Sequence, residues 1–167
     1  MGAVTTIYRA SSTITIAPQN IATSSTFVAG VESDVYDNTS NKDQDVIIGG
    51  TWTCGTTPSS NSQCLIYVGA IRDDAPTYPD VFDGTSSAET LTSAGVGRGF
   101  LKLGATIDID SSNSNVAYPV LFTVAQLFGG ICPPKFFLFI THNSGVNSNS
   151  TAGNHVWKAT GVSYSVA

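Results

Sequence analysis

Residues 135–142 read Lys-Phe-Phe-Leu-Phe-Ile-Thr-His, and this apolar stretch is the strongest indication of the fold class. Its five consecutive apolar residues, Phe136 to Ile140, do not alternate with polar ones. A strand of this kind is expected at the centre of a sheet, buried on both faces, or buried on one face and covered by a partner on the other. Pro133 and Pro134 come just before it and fix where the strand can begin.

Strand patterns continue on both sides of this stretch. In Ser12–Ala17, polar and apolar residues alternate, which places Ile14 and Ile16 on one face of a half-buried strand. Turn-forming Gly, Pro, Ser, Asn and Asp residues separate the runs. The other predicted strands are Phe27–Tyr36, Val46–Cys54, Cys64–Arg72, Gly99–Asp110, Ala117–Leu127, Phe136–His142 and His155–Val166.

Eight strands in a chain of this length predict an all-β fold, an antiparallel jelly-roll-like β-sandwich. The polar connections 55–63 and 75–96 are expected to cross between the sheets or to project from one end. Helical periodicity is nearly absent. Its best candidate, residues 88–94, carries Thr90, Thr92 and Ser93 and is predicted to be a loop.

Length and charge limit the classes of function. The 167 residues suit one domain, here an N-terminal arm, 1–10, followed by a single β-sandwich domain, 11–167. The net charge is −5, and the seven Lys and Arg residues form no basic run, so no nucleic-acid partner is predicted. An isolated residue such as Arg9 is expected to be solvated. The sequence contains no apolar stretch of the roughly 20 residues that a membrane helix needs and no secretory signal pattern. We therefore expect synthesis in the cytoplasm and no membrane partner.

The search for catalytic residues starts from two histidines, His142 and His155. A Ser-His-Asp relay would need a nucleophile on a sharp turn, and the sequence holds no Gly-x-Ser-x-Gly elbow. His142 follows the apolar strand and precedes Asn143, so we expect the chain to return to solvent there. No catalytic residue is predicted, and the chain is expected not to be an enzyme.

Acidic residues are the remaining candidates for chemistry. Asp108 and Asp110 are two residues apart on a predicted strand and point to one face, and four more acids flank a loop. A glycosidase pair among them is possible, but ten of the twelve acids are Asp, which favours turns. Asp73, Asp74, Tyr78 and Asp80, with Asp83 beyond them, form this candidate partner-facing or ligand-facing loop.

A metal site is also weighed at the end of the strand that holds Asp108. The run from Asp108 to Asn113 alternates oxygen ligands, as Ca²⁺ requires. It lacks the Gly and Glu of an EF-hand, because Asn113 and Pro119 stand at those positions. A calcium ion bound at the surface is left as an alternative, but no metal and no cofactor is predicted.

Cysteines 54 and 64 bracket a turn-rich loop. If the flanking segments pair as a hairpin, Cys54 and Cys64 could form a disulfide across its neck. Cytoplasmic proteins keep such thiols reduced, whereas a particle released into oxidising surroundings could form the bond. Cys132 is left over and is expected to be a small buried hydrophobic residue.

Several segments resemble small structural proteins of tailed bacteriophages. Glu32–Val46 is similar to their "IDN.TN.D..A" stretch, and Ile71–Asp80 to their "S.DG.NY.D" loop. Cys132–Phe136 resembles "LPPGKFK", while Asn143–Val146 and Ala152–Val156 resemble an "N.SG……ASGN.V" run. The motifs occur in the family's order over about two thirds of the chain. Departures are the loop between the two cysteines and Ala75, where the family tends to have Gly.

The resemblance implies a virion component with a jelly-roll-like fold and no catalytic residue. We expect a capsid decoration or cement protein that binds the major capsid protein or other virion proteins. The alternatives are a tail, baseplate or fibre-associated module, and a carbohydrate-binding jelly-roll module. The unalternating strand also predicts a homo-oligomer, a trimer or a dimer. Trp52 and Trp157 lie in predicted strands and are expected in the core, which leaves Tyr78 as the loop aromatic for a ligand.

Overall fold

The computed structural model describes residues 3–71 and 77–166. These residues form eleven strands, one α-helix and two 3₁₀ turns. The elements are β1 Val4–Tyr8, β2 Ser12–Thr13, β3 Ala29–Glu32, β4 Tyr36–Asp37, β5 Asp45–Thr53, β6 Ser62–Ala70, β7 Ala88–Thr90, α1 Ala94–Phe100, β8 Leu101–Ile109, β9 Ala117–Thr123, β10 Lys135–His142 and β11 Val156–Val166, with 3₁₀ turns at Ala125–Phe128 and Ala152–Asn154.

The strands form two antiparallel sheets. Sheet 1 has the order β1-β11-β5-β9, with β2 also paired to β11. Sheet 2 has the order β7-β3-β10-β6-β8, with β4 also paired to β10. This arrangement confirms the predicted all-β antiparallel sandwich. The first ten residues, predicted as an arm, contain β1, which is hydrogen-bonded to β11 over Val4–Tyr8.

The main core lies between the two sheets. Trp52 of β5 and Trp157 of β11 enter it from sheet 1, and Leu138 and Ile140 of β10 enter it from sheet 2. Both tryptophans are buried, as predicted. Gly50 makes the packing possible, because a Cβ there would lie 2.3 Å from the indole of Trp157. A larger residue at position 50 would push the tryptophan out of the core.

The central position predicted for β10 is confirmed. The strand pairs with β3 and β6, and its apolar side chains are fully buried on both faces. Phe137 and Phe139 face away from the main core, into a second cluster with Phe82, Leu91 and Leu101. The connection before β8 thus packs over sheet 2 rather than projecting from the molecule. Since the chain covers β10 itself, this strand gives no reason to expect an oligomer.

The prediction that residues 88–94 form a loop holds for residues 91–93 and was wrong on either side of them. Residues 88–90 are strand β7, and α1 begins at Ala94, where Ser93 accepts a hydrogen bond from the N–H of Val96 at 3.2 Å. The helix contains three glycines, each of which lowers helix propensity by about 1 kcal/mol relative to Ala. Packing explains its formation. Gly97 lies against Leu91, where a Cβ would come within 2.6 Å of the leucine side chain.

Candidate functional site: the open face of sheet 1

The two sheets differ in what covers their outer faces. Sheet 2 is covered by Phe82, Leu91 and α1, whereas outward side chains of sheet 1 such as Leu121 are exposed among the described residues, and we call this side the open face. Side chains alternate along a strand, so the residues next to the buried Trp52 and Trp157 point outwards. The strand register places Leu121 of β9, Gly49 of β5 and Lys158 of β11 in one row across this face.

The open face combines exposed apolar residues with little charge. Leu121 is 75% exposed, and Tyr8 and Tyr164 are 66% and 62% exposed. On the described strands of sheet 1, the charged side chains at outward positions are Asp45 and Lys158. Protein interfaces are depleted of charge and enriched in aromatic residues at their centres. The described part of this face is therefore poor in charge and presents exposed apolar and aromatic side chains.

His142 does not mark a return to solvent, and that expectation was wrong. The side chain is fully buried beside Trp52, with ring centroids 5.2 Å apart. Nε2 lies 3.1 Å from the carbonyl of Ile21, which can only accept, so Nε2 carries the proton. Nδ1 then accepts from the Ser144 hydroxyl at 2.9 Å. Burial lowers the pKa of His142, and the neutral ring joins the 21–24 segment to β10.

His155 has a similar structural role. Its Nε2 lies 3.0 Å from the carbonyl of Asn149, and its Nδ1 accepts from the N–H of Thr53 at 3.3 Å. Burial lowers the pKa of His155. Both rings therefore act as neutral connectors between loop and strand. Ser144, which bonds to His142, is itself fully buried.

The candidate ligand-facing loop is described only from residue 77 onwards. Asp73 and Asp74 lie outside the described residues. Tyr78 is half-buried and packs on Phe137, with ring centroids 6.4 Å apart. Asp80 has a φ of +55° and accepts a hydrogen bond from the N–H of Thr92 at 2.9 Å. Tyr78 and Asp80 therefore hold the cover of sheet 2 in place.

The strand-end carboxylates of Asp108 and Asp110 each contact a polar side chain of another strand. Asp108 accepts from the side chain of Gln63 at 3.0 Å, and Asp110 lies 3.4 Å from the hydroxyl of Tyr118. The two acids thus contact different strands. Over residues 3–71 and 77–166, the side chains of His, Cys, Asp and Glu form no group of three that could hold a metal ion.

Glu32 is a buried acid that sequence analysis did not single out as a site residue. Its carboxylate accepts hydrogen bonds from the N–H groups of Asp83, at 3.1 Å, and Gly84, at 2.8 Å. Burial raises the pKa of Glu32 to about 7, while those two hydrogen bonds act in the opposite direction. The residue anchors the 83–84 turn to β3. Gly84 has a φ of +81° and lies directly against Tyr78.

Cys54 and Cys64 are free thiols, and the hairpin that their bridge requires is not formed. Cys54 follows β5 in sheet 1, whereas Cys64 lies on β6 in sheet 2, so the flanking strands do not pair. The thiol of Cys54 accepts from the N–H of Val116 at 3.2 Å. Burial raises the pKa of both thiols and raises that of Cys132, which is half-buried, to about 12. All three are therefore poor nucleophiles.

One segment of the bacteriophage resemblance has a clear structural role. The side chain of Asn38 binds the backbone of Asp43 twice, accepting from its N–H at 2.9 Å and donating to its carbonyl at 3.0 Å. Asp43 in turn forms an ion pair with Arg9. The expectation that Arg9 is simply solvated was wrong, because a link between residues 34 positions apart leaves no local signal.

Comparison with known proteins does not place the chain in a family. No protein-family model and no curated protein matches the chain. Among solved structures, a similar chain occurs in the crystal structure of the infectious bursal disease virus VP2 subviral particle. That match has 18% sequence identity and a TM-score of 0.30, and it covers 96% of this chain and 31% of that chain. This chain thus spans about a third of that chain's length. No helix in the described residues has the length and apolar character to cross a membrane.

Proposed function

We propose that the protein is a non-enzymatic structural component of a bacteriophage particle, a decoration or cement protein of the capsid. In this proposal the open face of sheet 1 binds the major capsid protein. The observation that carries it is the exposed, charge-poor surface around Leu121 and Tyr164, which has the composition of a binding interface.

Three further features support a structural role. Both histidines are buried and neutral, and each bonds backbone groups that hold the sandwich together. The order of the sequence motifs resembles that in small structural proteins of tailed bacteriophages. The Asn38–Asp43 clamp and the Glu32 anchor are polar side chains that fix loops, which is consistent with a structural role.

The test begins with particles of the phage that encodes the chain. Quantitative mass spectrometry of purified particles should find the protein at a copy number comparable with that of the major capsid protein. A few copies per particle would instead support the alternative, a tail, baseplate or fibre-associated module. Absence from the particles would contradict both.

A matched pair of variants then tests the binding face. Leu121→Glu places a charge on the open face at a 75% exposed position of its edge strand β9, and the cost of burying this charge should reduce particle-bound protein by about tenfold or more. Val96→Glu is the control, since Val96 is 41% exposed on α1, over the other sheet. If the two variants are incorporated into particles equally, the open face of sheet 1 is not the surface that binds the capsid.

The aromatic side chains weighed as sugar-binding platforms are not exposed for that role. Trp52 and Trp157 are in the core, and Tyr78 packs on Phe137. A flat exposed aromatic ring is what such a module offers to a sugar. Tyr8 and Tyr164 are exposed on sheet 1, but the proposal assigns that face to the capsid protein, so we do not extend it to carbohydrate.

A further inference from the structure

Strand β1 and the end of β11 form a two-stranded ribbon beyond the rest of sheet 1. β5 pairs with β11 only as far as Asp45 and Val162, whereas β1 pairs with residues 162–166 of β11. Every residue of β1 is exposed. Two strands alone are marginally stable in water, so a third strand would stabilise this ribbon.

The free edge of β1 can be identified from its hydrogen bonds. The N–H of Arg9 donates to the carbonyl of Gly161 at 3.0 Å. In an antiparallel ladder every second residue bonds to a given neighbour, so Arg9, Ile7 and Thr5 face β11. The peptide groups of residues 4, 6 and 8 therefore point away from the sheet. Within the described ranges, β1 pairs with β11 and with no other strand.

This edge carries none of the usual protection against strand pairing. Natural edge strands are commonly interrupted by charge, proline or a bulge. β1 reads Val-Thr-Thr-Ile-Tyr, without a charge or a proline, and its register with β11 is continuous. Such a segment is ready to accept another strand.

We propose that two copies of this chain associate through β1, paired antiparallel about a two-fold axis at Thr6. Val4 of each copy then lies opposite Tyr8 of the other, and the two Thr6 residues face each other. These are the residues whose peptide groups are free, so the ladder forms without breaking any bond to β11. Pairs of aromatic and β-branched residues, and of two threonines, stabilise neighbouring strands.

A second copy is the occupant that the sequence of β1 favours. The strand is complementary to itself in this register, and no like charges meet across the axis. The contact is isologous, and each copy uses its one β1 edge, so association stops at the dimer. The pairing joins sheet 1 of the two copies into one continuous sheet. It does not depend on the proposed function in a phage particle.

Sedimentation of the purified full chain tests the proposal. We expect a concentration-dependent monomer–dimer equilibrium, which Thr6→Lys should weaken by about tenfold because two like charges then meet at the axis. Ala117→Lys is the control, since it adds the same charge at an exposed position on the opposite edge strand, β9, and should leave the equilibrium unchanged. A monomer at all concentrations, or equal dimers for wild type and Thr6→Lys, would overturn the proposal.

Amide hydrogen exchange provides a second measurement that does not rely on a variant. The amides of Val4, Thr6 and Tyr8 should become protected as the concentration rises, while that of Ile7 is already protected in the monomer. A dimer in which the first three amides exchange freely would overturn the β1 pairing. Neither outcome of these two experiments bears on the copy number of the protein in phage particles, which tests the proposed function separately.

Discussion

Arg9 Nε lies 3.2 Å from Oδ1 of Asp43, a carboxylate whose side chain is completely buried. Neither oxygen of this carboxylate accepts a hydrogen bond from the described residues, so the ion pair is its main compensation. The pair joins the residue after β1 to the loop before β5. A Cβ at Gly161 would lie 2.1 Å from Oδ2 of Asp43, which shows how closely β11 approaches the same carboxylate.

Removing the cation should leave this buried charge uncompensated. We expect Arg9→Met to lower the free energy of unfolding by about 1–3 kcal/mol, less than for a fully buried pair because Arg9 is partly exposed. Urea denaturation measures the change. Lys102→Met removes an exposed cation from β8 and should have little effect. In the double variant Arg9→Met with Asp43→Asn, part of the lost stability should return, and additive losses would contradict the pairing.

Phe82 should matter for stability although it lies in a connection. It is 5% exposed and packs on Phe137 and Phe139, with ring centroids 4.6 Å and 5.4 Å away. We expect Phe82→Ala to reduce the free energy of unfolding by about 3–5 kcal/mol. Leu121→Ala, at a 75% exposed position, should change it by less than about 0.5 kcal/mol. Similar values for the two variants would mean that the 77–100 connection does not cover sheet 2.

The buried histidines predict a loss of stability in acid. Burial lowers the folded-state pKa of both His142 and His155 below the unfolded value of about 6.5. The unfolded chain then binds more protons, so their contribution is fully present above about pH 6.5 and is lost as the pH falls. His155→Gln should lose less stability than wild type between roughly pH 7.5 and pH 5. If the free energies of unfolding of the two proteins fall equally with pH, His155 is excluded as a source of the stability lost in acid.

All three thiols should be free in the native protein, and those of Cys54 and Cys64 should be protected from solvent. Cys64 is fully buried, and burial raises its pKa well above the usual value. We expect alkylation of the unreduced native protein to be slow at Cys54 and Cys64, and unfolding to make all three cysteines, including Cys132, reactive without a reductant. Peptide mass mapping checks this outcome. A pair of residues that stays unmodified after unfolding would reveal a disulfide.

The long strands could be predicted from sequence because their signal is local. The predicted Val46–Cys54 and observed Asp45–Thr53 differ by one residue at each end, and Gly99–Asp110 contains the whole of β8. Period-two alternation reports burial against the opposite sheet. β1 gave no such signal, because each of its residues is exposed.

The polar contacts could not be predicted, because they depend on residues far apart in sequence. His142 follows an apolar strand and precedes Asn143, which locally indicates a chain end at the surface. Its burial depends on the carbonyl of Ile21, which is 121 positions away. Helix α1 shows the same limit, since packing of Gly97 overrides its weak propensity.

Glu32 should oppose the histidines in the pH dependence of stability. Burial raises its folded-state pKa to about 7, above the unfolded value of 4.5. The folded state therefore binds the proton more tightly, so this contribution is fully present below about pH 4.5 and is lost as the pH rises through about 7. Glu32→Gln stays neutral throughout. Its free energy of unfolding relative to wild type should thus rise between those pH values, whatever the fixed cost of altering the bonds to Asp83 and Gly84.

Urea denaturation of wild type and Glu32→Gln across this pH range measures that difference, which cancels the contributions of His142 and His155. Asp108→Asn is the control, because it removes an exposed carboxylate from β8. The expected result is a pH-dependent difference for Glu32→Gln that the control does not share. An equal trend in both variants would trace the effect to overall charge. A constant difference would mean that Glu32 stays ionised, held by the two backbone N–H groups that it accepts from.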